Sequence, residues 1–260
     1  MKLPLGILLF WLLAAATAPF LGLSPDAIAL DKILDGPGAG TWLGRDDLGR
    51  DLLARLLAGV RTSLTVAGAV TLVTFGFGTA LGLVAGYRGG WVDRLLMRVT
   101  DVFLAFPGIL LAIAFAAVLG PGVSNLILAL CLTSWVGYAR LTRAQALAMR
   151  ERQHVLAARS LGASAVRILL RHMLPLLLAP LLVEMTFGVA SLVVAEASLS
   201  FLGLGIQPPH ASWGAMLRDG VRYLLVAPHY VLSVGLSLMS LVLAINLLGD
   251  RLRDILDVKR

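Results

Sequence analysis

Two carboxylates stand where hydrocarbon disfavours them. Glu184 and Glu196 interrupt a run, residues 173–205, that is otherwise free of Asp, Glu, Lys and Arg. An acidic side chain at the centre of a bilayer costs about 3 kcal/mol on insertion scales, so an acid kept there has a polar partner or lines a path. Either role fits both residues. Other chemistries lack their residues. No Gly-x-x-x-x-Gly-Lys-Ser/Thr stretch is present to cradle nucleotide phosphates, and no His-Glu-x-x-His to hold zinc. No Ser, His and Asp cluster into a triad. Cys131 is the single cysteine, inside an apolar run. His210 and His229 are isolated, which is weak evidence for a metal. No catalytic, cofactor-binding or metal-ligating residue is assigned, and the chain is not expected to be an enzyme.

A second constellation is basic. Residues 140–172 carry Arg140, Arg143, Arg150, Arg152, Arg159, Arg167 and Arg171 among apolar residues at helical spacing. Gly162 breaks that spacing. Ser164 is a good N-cap for a second short helix, and Pro175 can open the next long one from its first turn. The pattern predicts helix, glycine break, helix. A solvated basic loop, or a helix lying on anionic lipid, has the same charge pattern.

The elements that carry these groups follow from composition. Of 260 residues, 58% are hydrophobic and 14% charged, and the mean hydropathy is +0.88. Soluble domains carry about a quarter charged residues. Disordered chains, disulfide scaffolds and ordinary soluble enzymes are thereby excluded, and long unbroken apolar runs argue against a membrane barrel. Uncharged runs at 3–25, 62–87, 102–139 and 223–249, and the run 173–205 that only Glu184 and Glu196 interrupt, predict spans in a lipid bilayer. The third is long enough for two, and Gly120-Pro121-Gly122-Val123-Ser124-Asn125 splits it by a tight turn. Six helical spans result. The first run also resembles a signal peptide, with Lys2 and Ala16-Thr17-Ala18, but Pro19 would follow the cut, so a retained helix is preferred.

The net charge of +7 fits basic cytoplasmic loops better than nucleic-acid binding. With the N-terminus inside, Lys2, Arg88, Arg94, Arg98, the seven arginines of 140–172, Arg251, Arg253, Lys259 and Arg260 are all cytoplasmic. That is 15 of the 22 basic residues. Both termini are expected in the cytoplasm. Two segments exceed mere connectors: the external one at about 24–61, and 140–172. In the external segment, Asp47 can cap a helix whose apolar face is Leu48, Leu52, Leu53, Leu56 and Leu57, with Arg50, Asp51 and Arg55 on the other side.

In 140–172, Ala157-Ala158, Gly162, Ile168 and Leu174-Pro175 resemble the cytoplasmic loop of ABC importer permeases. There the pattern is roughly Glu-Ala-Ala, three residues, Gly, then an Ile and a Leu-Pro. Leu156 stands where the Glu is usual. Further segments resemble the dipeptide, oligopeptide and nickel permeases of the C-subunit type. They are Leu43-Gly44-Arg45-Asp46-Asp47-Leu48-Gly49-Arg50-Asp51, Gly86 to Asp93, Arg98 to Pro107, Ser198 to Gly205 with Trp213-Gly214, and Gly249 to Asp254. Arg45 replaces the usual Thr. The shared order of these motifs covers nearly the whole chain.

The resemblance implies an all-α membrane protein of six transmembrane helices in a type I ABC importer permease fold, with a cytoplasmic coupling helix. Residues 1–61 would be the first span and external loop, and 62–260 the permease domain. His154, Val155, Leu156, Ala157, Ala158, Arg159, Leu161, Gly162, Ala163 and Ser164 would meet an ATPase subunit. Glu196, where the family commonly has Glu, would line the pathway with Ser200 and Phe201 or hold helices together; Glu184 has no such support from the resemblance. The implied partners are a second homologous permease, two cytoplasmic ATP-binding subunits, an extracytoplasmic binding protein and the lipid of a bacterial or archaeal cytoplasmic membrane. Peptides are the first expectation for cargo and nickel complexes the second. A secondary transporter using Glu184 or Glu196 as an ion site is the rival class, although no inverted repeat is evident.

Overall fold

The computed structural model describes residues 2–38 and 40–257, so the charges expected at Lys259 and Arg260 lie outside the described residues. The regular elements among the described residues are helices, apart from two isolated bridges, Gly38 with Thr41 and Arg45 with Asp51. The long helices are α1 (Lys2–Thr17), α2 (Leu52–Arg88), α3 (Gly90–Leu104), α4 (Gly108–Leu119) and α5 (Val123–Met149). A short α6 (Gln153–Ser160) and α7 (Ala165–Arg167) follow. A π-helical stretch, Ile168–Met173, runs into α8 (Leu174–Phe201), and α9 (Trp213–Val221) and α10 (Pro228–Asp257) complete the chain.

The centre of the bundle is the α2–α5 pair. Gly78, Gly82 and Gly86 recur every four residues on α2 and therefore share one face. Opposite them on α5 stand Tyr138, Thr142 and Ala146, with the same step. A Cβ on Gly78, Gly82 or Gly86 would lie 2.8, 2.7 or 2.6 Å from the Cβ of those residues in turn, which no real packing permits. Small residues let two backbones approach closely, and dispersion then holds them in a medium that supplies no hydrophobic drive.

A second joint gathers the outer elements on Trp213. Its indole N–H donates to the Leu56 carbonyl at 2.9 Å, and its ring meets Trp11 edge to face at 5.1 Å. Trp11 in turn donates to Ser240 at 2.9 Å. One fully buried side chain thus ties α9 to α1 and α2, and through Trp11 to α10. The first helix, which by sequence also resembled a signal peptide, is packed into the bundle.

The expected spans are adjusted in three places. The second begins at Leu52, not 62, so α2 has 37 residues and is about 55 Å long. That exceeds the roughly 30 Å hydrocarbon layer, so one end projects beyond it. The amphipathic external helix read from the sequence is this projecting end. Asp51 caps it, accepting from the Ala54 N–H at 2.9 Å, and Asp47 does not. Asp46 instead folds the preceding loop, accepting from the N–H groups of Leu48 and Arg50.

The third span is bent. Its stretch up to residue 101 was read as a cytoplasmic connector, but α3 is helical from Gly90 and meets α4 at 84°. Pro107 has no N–H to donate and disfavours a helical Phe106, so the helix stops there. By length and apolarity, four helices of the described residues can cross a membrane, or five with the bent pair. The expected fourth span, α5, is long enough at 27 residues but more polar, with Ser124, Asn125, Thr133, Ser134 and Tyr138 along it.

The glycine seam generates a prediction with an internal control. Gly82→Leu forces overpacking that costs about 3 kcal/mol or more. Gly68→Leu, on the same helix with nothing within 4 Å of an added Cβ, has no such clash. In detergent, the thermal midpoint should fall by several degrees for Gly82→Leu and stay put for Gly68→Leu. Equal midpoints would mean that the seam does not set the packing.

Candidate functional site

The basic segment folds as helix, break, helix. α5 takes its first ten residues, 140–149, and α6 follows a turn at Arg150–Arg152. Gly162 ends α6 in the left-handed region at φ +79°. The Gly162 N–H donates to Arg159 O and the Ala163 N–H to Ala158 O, both at 3.0 Å. This is the two-bond arrangement of a Schellman cap, which favours glycine at that position. Ser164 then caps α7, accepting from the Arg167 N–H at 3.4 Å.

Two faces of α6 differ sharply. Val155 and Ala158 are buried, in one cluster with Leu83, Ala146, Met149, Ile168 and Met173. His154, Leu156, Ala157, Arg159, Leu161, Gly162 and Ser164 are exposed, and Ala163 is half-buried. Leu161 is 88% exposed, and Leu156 and Val166 are exposed near it. Arg159 is not wholly given to solvent, since its guanidinium lies 5.6 Å from the centre of the Tyr87 ring at the end of α2. Asp93 of α3 pairs with Arg143 of α5 through both carboxylate oxygens. The adjoining ends of α2, α5 and α8 are thereby fastened to α6, and α3 is fastened to α5.

The two acids of α8 have different surroundings. Glu196 is fully buried. It accepts from Ser63 of α2 at 2.5 Å and from Ser200 at 2.9 Å. Ser200 itself accepts from the Ile206 N–H at 3.2 Å. Glu196 and Ser200 are therefore the polar joint between α2, α8 and the loop after α8. Phe201 is 41% exposed and stands apart from this joint. Glu184 is half-exposed and borders two cavities.

A third polar cluster was legible only in part. Arg50 and Arg55, read as the solvated side of the external helix, are buried at 6% and 3% exposure. Arg50 Nε lies 2.6 Å and Arg55 Nε 3.3 Å from Asp46, so one carboxylate holds two guanidinium groups. Burial, reinforced by the charges of Asp46 and Asp219, pushes the Asp47 carboxyl above its ordinary value. Period-3.6 reading puts charge on the water side and cannot reveal that another segment covers it. Among the described residues, no group of three or more His, Cys, Asp or Glu is placed to hold a metal ion.

A long-helix bundle with a short cytoplasmic-type helix between its fourth and fifth long spans is the architecture of a type I ABC importer permease. A solved inward-facing structure of the MetNI methionine ABC transporter has this fold. It superposes with a TM-score of 0.61 over 78% of this chain and 96% of that one, at 22% identity. Residues 78–260 match the binding-protein-dependent transport system inner membrane component family, and the chain belongs to it. It is 45% identical to the glutathione transport system permease protein GsiD of Pectobacterium atrosepticum, over 88% of this chain and 76% of that one. It is 44% identical to the dipeptide transport system permease protein DppC of Alkalihalophilus pseudofirmus, over 87% and 74%.

The Glu196 joint yields the second prediction. Glu196→Gln keeps the shape and an acceptor. Glu196→Leu orphans two buried hydroxyls at about 1–3 kcal/mol each. Thermal unfolding in detergent should show Gln close to wild type and Leu several degrees lower. A Gln variant as unstable as Leu would refute the hydrogen-bonding role.

Proposed function

We propose that this chain is one of two homologous permease subunits in a peptide importer of the inner membrane, with ATP hydrolysed by partner subunits rather than by this chain. The observation that carries the reading is the exposed apolar face of α6, on a helix whose other face is packed against the inner ends of the long helices. The likeness to the two peptide-class permeases supports the cargo.

In this reading the segment His154–Ser164 docks on a cytoplasmic ATPase. Leu156, Ala157 and Leu161 enter its groove, and the Gly162 cap fixes the angle at which α6 presents them. Movement of the ATPases displaces α6. Its buried face and the Arg159–Tyr87 contact pass that displacement to α8 and α2. The spans then alternate between two arrangements, which requires each state of the ATPases to favour one of them. An external binding protein delivers cargo between the two permeases. Both termini and α6 face the cytoplasm, in keeping with the positive-inside rule. Residues 1–61 then supply the first helix and the external loop, and 62–260 the moving permease domain.

Docking is tested at Leu161, which makes little contact within the chain. Leu161→Asp should leave the thermal midpoint unchanged and weaken co-purification of the ATPase at least about tenfold, equivalent to roughly 1.4 kcal/mol. Undiminished co-purification would remove α6 from the interface. Orientation is tested in a Cys131→Ala background. Asp31→Cys should react with an impermeant thiol reagent added outside intact cells, and Ser160→Cys should not. Reaction at Ser160→Cys would reverse the topology. Uptake of dialanine into vesicles holding the full complex should require ATP and persist without an ion gradient.

A further inference from the structure

A cavity of about 510 Å³ opens between α4, α5 and α8. Its walls are mostly apolar, with Ile109, Ala112, Leu130 and Phe187 among them. Polar groups enter at helical steps. Glu184, Gly188, Ser191, Ala195 and Ser198 follow spacings of four and three along α8, so they share one face. Thr133, Ser134, Gly137 and Tyr138 do the same on α5, and all of these residues line the cavity. A mainly apolar pocket with a few convergent polar groups is the usual form of a small-molecule site.

Two of those groups lack partners. Glu184 is the one Asp, Glu, Lys or Arg among the lining residues, and it makes no hydrogen bond or ion pair with a described residue. Tyr138 is only 4% exposed, yet its hydroxyl has no hydrogen-bond partner. A buried hydroxyl left unpaired is destabilising. Gly188 makes room for it, since a Cβ there would come within 2.5 Å of the Tyr138 oxygen. Glu184 also borders a second cavity, lined by Gln145 and Arg253, so the acid stands where the two meet.

An ammonium group has three donors and no acceptor, whereas a carboxylate only accepts and a phenol can accept. We propose that Glu184 and Tyr138 form an acceptor site for the primary ammonium group of the cargo, the free amino end of a peptide in transit. The cargo assignment rests on the peptide-importer reading above; the charge selectivity does not. A single negative charge in a cleft with low-dielectric walls concentrates cations and repels anions. The apolar walls accommodate uncharged side chains of differing size without specific contacts.

The test uses the purified complex of this chain with its partners, in phosphatidylcholine nanodiscs, with Cys131→Ala and Ser191→Cys. Ser191 is exposed on the cavity wall, two turns from Glu184. A cationic methanethiosulfonate should label it about tenfold faster than an anionic one of similar size. That preference should collapse toward unity in Glu184→Gln and survive in Glu184→Asp. Dialanine should slow the cationic labelling and N-acetyl-dialanine should not. The protection should vanish in Glu184→Gln and weaken in Tyr138→Phe. No charge preference, or one that persists in Glu184→Gln, overturns the site. So does equal protection by the two dipeptides. Slowing by added phosphatidylethanolamine but not by dialanine would assign a lipid headgroup and overturn the cargo site. Uptake separates this from the peptide-importer reading. If wild type takes up dialanine with ATP but the labelling shows no preference, the ammonium site alone fails. If the preference holds and no ATP-driven uptake occurs, the importer reading fails and the charge-selective site stands.

Discussion

The near-contact of α2 and α5 is the constraint from which the rest of the bundle follows. In a bilayer, two apolar helices gain nothing from leaving lipid for each other unless their backbones come close enough for dispersion and small-residue packing. Gly78, Gly82 and Gly86 remove three side chains in register, and Tyr138, Thr142 and Ala146 fill the space. That fixes α5 on α2 along about two turns. The polar residues of α5 are then oriented by the same seam. Tyr138, whose Cβ packs on Gly78, carries its hydroxyl across to Gly188 of α8. The position of the phenol oxygen in the cavity is thus a consequence of glycines on a third helix.

The polar groups are divided between closure and openness. Glu196 accepts from two serines and is sealed, so it contributes a joint between α2 and α8 rather than a charge on a surface. Glu184, twelve residues earlier and half-exposed, has no such donors. Twelve residues turn a helix by 1,200°, which leaves the two side chains about 120° apart at 100° per residue. One face of α8 meets α2, and the face a third of a turn away meets the cavity. The helix separates the two acids by that rotation and by about 18 Å of rise along its axis.

Much of this was legible in the sequence, and the omissions have physical causes. The break at Gly162 and the Ser164 cap are local events within six residues, so residue type and spacing suffice to read them. The turn at Gly120–Gly122 is local in the same sense. The start of α2 was misplaced because charge was taken as the edge of a span, whereas Asp51 caps a helix that projects beyond the bilayer. The burial of Arg50 and Arg55 escaped because it depends on Asp46 folding back over them, and a single helical wheel has no term for another segment. The bend at Pro107 was within reach, since proline after Phe106 restricts both residues. Charge alone hides it, because the uncharged run is long enough for a span without a bend.

The two acids show where resemblance and geometry part. Resemblance directs attention to Glu196, because a glutamate is usual beside the Ser-Phe-Leu-Gly-Leu-Gly stretch. A residue that every member needs for packing is expected to recur whatever the cargo. Such recurrence does not by itself mark the pathway. A residue that meets the cargo is free to differ from one importer to another, and Glu184 lies outside the resembled stretch. Its surroundings carry the argument instead: a cavity, small neighbours at Gly137 and Gly188, and a phenol oxygen without a partner. A common frame of sealed polar joints and glycine seams can then stay fixed while the charge on the cavity wall changes with what must pass.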